Sequence, residues 1–170
     1  MDTNAVLIET YTRIRENVDR SAVGLDAGSL AYRPDSDANS IAWLLWHLTR
    51  TQDHHVSELA GRPQAWIEEG WSERFTTDPH ENNTGNGHTS EQVAEISPDT
   101  PDDLIAYHNV VADRTLEYLE TIDTDELDRI IDRSWDPPVS VGVRLVSVIN
   151  DNIQHVGQAL YVRGMIERLG

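Results

Sequence analysis

Cysteine is missing from all 170 residues, which removes disulfides, thiolate metal sites, CxxC redox chemistry and a Cys nucleophile in one step. Any thiol chemistry must therefore use a thiol brought from outside. Lysine is missing too: the 13 bases are all Arg, set against 30 acids for a formal charge of -17. Such a surface repels polyanions, and no Arg cluster is dense enough to neutralise a run of phosphates, which argues against nucleic acid as a partner. No stretch approaches about 18 uninterrupted apolar residues, and Met1-Asp2-Thr3-Asn4 has no basic segment leading into an apolar one. The expectation is a soluble, cytoplasmic protein without a membrane partner. Walker-type phosphate loops, GxGxxG, GxSxG and HExxH are absent as well, leaving nucleotide and common hydrolase readings without support.

What is present is helical periodicity. Val6, Leu7, Tyr11, Ile14, Val18 and Ala22 recur at three- and four-residue steps, predicting a first long helix over 3–22. Asn39-Ser40 offers an N-cap to a second over 41–60, which opens on the apolar block Ala42-Trp43-Leu44-Leu45-Trp46. Gly61 and Pro63 end it. The stretch up to Gly87 is rich in Gly, Pro, Asn, Thr and Asp, and Trp66, Trp71, Phe75 and the later Trp135 suggest that this long excursion packs as a lid. Thr89-Ser90-Glu91-Gln92 reads as a capping box for a short helix to Ile96. Thr100 can cap and Pro101 opens a third long helix over 101–122, with Asp102 and Asp103 at the positive end of its dipole. Trp135-Asp136-Pro137-Pro138 reads as an extended strap, and a fourth long helix over 140–169 is expected to be the most buried element because apolar residues cover more than one of its faces. No strand pattern or repeat is visible. The reading is one all-α domain, residues 1–170, folded as a four-helix bundle with a long crossover between the second and third helices. At this length a chain buries roughly 70% of its unfolded surface, so a core needs no covalent staple.

Polar residues interrupt this pattern at three places. Asp151 and His155 are four residues apart on the fourth helix and share a face, while His47 ends the apolar block of the second. Packing the two helices together would set two imidazoles and one carboxylate around a divalent metal with open positions. The plainer reading is an intrahelical Asp–His hydrogen bond and a satisfied core histidine. A carboxylate buried without a partner costs several kcal/mol, and a metal is one way to offset that.

The block Ser40-Ile41-Ala42-Trp43-Leu44-Leu45-Trp46-His47-Leu48-Thr49-Arg50, followed by Asp151-Asn152-Ile153-Gln154-His155-Val156-Gly157-Gln158 and Tyr161-Val162-Arg163-Gly164, resembles the DinB-like superfamily over almost the whole chain. Within it the sequence is most similar to the mycothiol S-transferase branch, related to the N-terminal domain of mycothiol-dependent maleylpyruvate isomerase. The resemblance implies a DinB-type bundle whose metal is held by His47, Asp151 and His155. Asp151 departs from the family pattern, which has His or Glu there. It also implies a metal-dependent transferase that presents a low-molecular-weight thiol such as mycothiol to an electrophilic small molecule. Alternatives are a metal-dependent hydrolase using the same site and a non-catalytic helical module that binds a small molecule or partner. Zinc or nickel leads as cofactor, with iron and manganese open.

Weaker candidates surround the trio. Gln158, one turn beyond His155, is placed to orient a ligand. His88 sits in a loop able to close over the site, and Arg50 and Arg163 are candidates to hold a substrate carboxylate. Asp53 and His54 read as a solvated rim; His80 and His108 receive no role. A homodimer is compatible with the flat faces of such a bundle.

Overall fold

The computed structural model describes residues 1–169. Helix α1 (Thr3–Ala22) starts on Asp2, whose carboxylate accepts from the Ala5 N–H, and a short α2 (Ala27–Ala31) follows. Helix α3 (Ile41–Ala60) is capped by Ser40 and closed by Gly61 at φ 64°, a left-handed conformation that glycine adopts without penalty. The excursion carries α4 (Ala65–Glu68), a single 3₁₀ turn (Trp71–Glu73) and α5 (Ser90–Glu95), the last opened by the expected Thr89/Gln92 capping box. Next come α6 (Asp102–Thr121), α7 (Thr124–Asp128) and α8 (Val141–Leu169). The chain is an all-α bundle formed by α1, α3, α6 and α8. Helices α1 and α3 each pack on both α6 and α8, so these two face each other mainly across the bundle diagonal.

Three expectations need correction. The strap around Trp135 is the tip of a small antiparallel ribbon, β1 (Ile130–Asp132) with β2 (Val139–Ser140), too short for a period-two pattern to show. Trp66, Trp71 and Phe75 are buried under the excursion, but Trp135 is 66% exposed and takes no part in that packing. Burial is deepest in α3, not α8: 15 of 20 residues are buried in the one, seven of 29 in the other. The excursion adds a cover to α3 that α8 lacks, so Val143, Val146 and Ile153 of α8 face outward despite their composition.

Buried polar bonds fix how α3 sits against its neighbours. The Asn152 amide donates to Gln52 Oε1 (2.6 Å), and Gln52 donates to Thr115 Oγ1 (2.7 Å), linking α8, α3 and α6. Thr49 Oγ1 donates to the Leu45 carbonyl and pairs with His108 Nδ1 at 3.0 Å. Burial, then the charge of Arg15, pushes His108 down to about 3, so it stays neutral in the core. These contacts set the rotation of α3 on α8 and hence which faces meet at the site.

Candidate metal centre

His47 reaches α8 because it lies on the face of α3 that packs there. Its ring stacks on Trp43, with centroids 4.6 Å apart and planes 8° from parallel, and meets the His155 ring edge-on at 4.7 Å. Asp151 spans the two imidazoles despite its short side chain: Oδ2 lies 4.0 Å from His47 Nε2, and Oδ1 lies 3.5 Å from His155 Nε2. One ligand atom from each of the three residues falls within 4.8 Å of the others.

The protons decide what this geometry can do. His47 Nδ1 bonds the Thr84 carbonyl, which can only accept, so Nδ1 carries the hydrogen and the Nε2 lone pair points towards Asp151. His155 Nδ1 pairs with Gln158 Oε1 at 3.0 Å, so in the neutral ring its Nε2 is likewise the free lone pair. Asp151 Oδ2 is buried without a hydrogen-bond partner. Three electron-pair donors thus converge with no proton assigned to His47 Nε2 or Asp151 Oδ2, an arrangement that repels itself until a cation sits inside it. Protonation of His155 would answer only part of this. Burial pulls His155 down, but its bonds to Asp151 and Gln158 outweigh that and leave it raised; His47 is lowered, chiefly by burial. The donor set, two imidazoles and a carboxylate, suits a first-row divalent ion.

The excursion clamps His47. Gly85, at φ +89°, lies so close that a Cβ there would sit 2.8 Å from Trp46 Cζ3 and 3.1 Å from His47 Nδ1. Gly85→Ala is therefore expected to shift the Thr84 carbonyl and loosen the imidazole, lowering zinc affinity by about tenfold, as loss of an orienting partner does. Chelator competition measures this, and an unchanged affinity would show that the loop does not set the His47 orientation.

The weaker candidates separate. Gln158 is where it can orient His155. His88 is not a ligand: Nδ1 accepts from Trp43 Nε1 (3.2 Å), Nε2 pairs with Asn83 Oδ1 (2.8 Å), and the ring stacks on Trp46, making it part of the wall. Arg50 is fully buried: it donates to the Asn83 and Glu81 carbonyls, Gln64 and Tyr107, and its charge lies 3.5 Å from Asp53, so it is enclosed by the protein's own groups and does not face a substrate. Arg163 binds Glu167 and the carbonyls of Arg20 and Val23, closing the C-terminus of α1. Asp53 is no rim residue: it is 1% exposed and accepts from Ala65 N, Trp66 N, Ser57 and Tyr107. Sequence reading missed Thr84, whose role rests on a main-chain carbonyl and carries no side-chain signature. A second group, His54, His55 and Glu58, is less suited to a cation because Arg144 donates to His55 Nδ1 at 2.8 Å.

One cavity reaches the trio itself and a second reaches Gln158, the partner of His155. The first, of about 450 Å³, has Asp151 in its wall, and the second, of about 550 Å³, is lined by Gln158 together with Leu44, Ile153, Gly157 and Tyr161. No helix among the described residues is long and apolar enough to cross a membrane.

Fold and site together define a DinB-type bundle with a candidate divalent-metal centre between its second and fourth long helices. The chain belongs to the mycothiol-S-transferase family, which matches residues 6–168. It is also similar to the crystal structure of a conserved protein from Enterococcus faecalis, with a TM-score of 0.88 and 31% identity over 96% of each chain. No curated protein matches it.

Proposed function

We propose that this protein is a divalent-metal-dependent S-transferase, a single domain that uses a low-molecular-weight thiol of the mycothiol kind on an electrophilic small molecule. His47, Asp151 and His155 are the metal-holding residues, with zinc or nickel as the leading ions. The observation that supports this most is the convergence of the His47 and His155 Nε2 atoms on the Asp151 carboxylate, whose Oδ2 has no hydrogen-bond partner of its own. A divalent ion there would lower the pKa of an entering thiol and supply the thiolate at neutral pH. The chain's own task is orientation: Thr84 and Gln158 hold the two imidazoles by Nδ1, and Trp43 walls the site on the His47 side. In the transfer, the thiol proton leaves to solvent, sulfur bonds to the electrophilic carbon, and the leaving group departs with its electron pair. With no Cys in the chain, the sulfur must come from the cosubstrate.

The test is metal content after purification without a His tag. About one equivalent is expected in the wild type, with little in His155→Ala, and metal-dependent thiol consumption with chlorodinitrobenzene as acceptor. Metal-free protein whose melting temperature ignores chelator would instead favour a non-catalytic module.

A further inference from the structure

We infer that the cavity between Arg144 and Asp151 receives a carboxylate-bearing acceptor, with the Arg144 guanidinium binding the carboxylate. In this strongly acidic protein, Arg13, Arg15, Arg62, Arg74, Arg114, Arg129 and Arg163 each sit against a carboxylate. Among the described residues Arg144, like Arg20, Arg33, Arg133 and Arg168, has no carboxylate within 4.0 Å, but of these it is the one that lines the cavity holding Asp151, and its hydrogen-bond partner is the His55 ring. His55 does not neutralise it: burial, and then Arg144 itself, push that imidazole down to about 4, so it accepts as a neutral base. The acids nearby are otherwise engaged. Glu58 reaches only the His55 ring, with Oε2 4.0 Å from Nδ1 and its side chain 68% exposed to solvent, and Asp132 accepts from the Ser134 N–H and hydroxyl.

Position strengthens the argument. Arg144 lies in the first turn of α8, where the helix dipole disfavours a cation and favours an anion, so an incoming carboxylate answers both the free charge and the dipole. The cavity of about 450 Å³ falls within the size range of small-ligand sites, and Trp135, Val139 and Val148 give it apolar walls. Arg144 and Asp151 are seven residues apart, two turns of one helix face or about 10 Å of rise. A carboxylate held by the long Arg side chain therefore leaves room for only a short spacer before the ligand meets the trio. That last placement rests on the proposed metal reading; recognition by Arg144 does not.

Cinnamate and its uncharged isostere cinnamamide are suitable probes, titrated calorimetrically into zinc-incubated protein, with zinc content and melting temperature recorded for every variant. The wild type is expected to prefer the carboxylate by about tenfold or more, as a charge-assisted fork should. Arg144→Gln should cut the preference to about twofold or less, and Arg144→Lys should keep part of it because the charge stays while the fork is lost. Should the Gln variant not fold, a Lys variant with undiminished preference would already count against the fork. A preference that survives in Arg144→Gln, or is absent from the wild type, overturns the inference. Survival in the Gln variant with loss on zinc removal assigns the carboxylate to the ion, and also overturns it. An Arg144-dependent preference in protein that binds no zinc would sink the metal reading while leaving this one standing.

Discussion

Asp151→Asn is expected to lower zinc affinity by at least about a hundredfold, more than the loss of an orienting partner usually costs, because it removes the only anion of the trio. The metal-free variant should be no less stable than the wild type. Asp151 Oδ2 is buried without a partner and faces the Nε2 lone pair of His47, whereas an Asn amide can donate an N–H across that gap. The two effects thus have opposite signs: melting temperature holds or rises in chelator and falls relative to wild type in zinc. Asp151→Glu keeps the anion and should stay within about tenfold of wild-type affinity. Chelator competition and melting curves with and without zinc read both variants. Unchanged occupancy in Asp151→Asn would remove Asp151 from the site and leave His47 and His155 as too few ligands for the proposed chemistry.

Arg50→Met is expected to cost about 3–5 kcal/mol of stability, the range for breaking a buried ion pair by removing one partner. The guanidinium is fully buried, lies 3.5 Å from Asp53 Oδ2 and stacks 4.6 Å from the Trp66 centroid. It also donates to the Glu81 carbonyl (2.7 Å) and the Asn83 carbonyl (3.0 Å), one residue before Thr84. Its removal leaves Asp53 charged among four remaining donors and frees the loop whose carbonyl orients His47. Zinc affinity should therefore fall as well, under conditions where the variant is still folded. Arg50→Lys should recover only part of the stability, because one ammonium cannot serve partners spread around a planar fork. Urea unfolding and zinc titration check the pair of effects. A destabilised variant with native zinc affinity would mean that packing of Gly85 on Trp43 and Trp46 holds the loop without Arg50.

Local periodicity made the long helices legible, and with them the pairing of Asp151 and His155, because a four-residue step on a helix fixes a shared face wherever the helix goes. Caps were legible for the same reason: Ser40, Gly61 and the Thr89/Gln92 box act on backbone groups within a few residues. The third long helix was read one residue early, since Pro101 sits at its N-cap and the helix begins at Asp102.

Burial was not legible in the same way. Asp53 and Arg50 read as surface or substrate-facing charges, yet both lie inside, because donors and acceptors from α4, α6 and the 77–85 loop converge on them from 12 to 57 residues away in sequence. Trp135 read as part of a packed lid and stands exposed on a ribbon tip. The sequence by itself determined the helices, the absence of any internal thiol and the face shared by Asp151 and His155, all consequences of composition or of contacts within about one helical turn. Only the tertiary structure decided that His47 meets that face, that the Thr84 carbonyl aims the His47 lone pair inward, and that Arg144 rather than Arg50 or Arg163 lines the cavity beside Asp151 without a carboxylate partner. The reason is physical: tautomer, desolvation and charge pairing depend on which atoms arrive from distant parts of the chain.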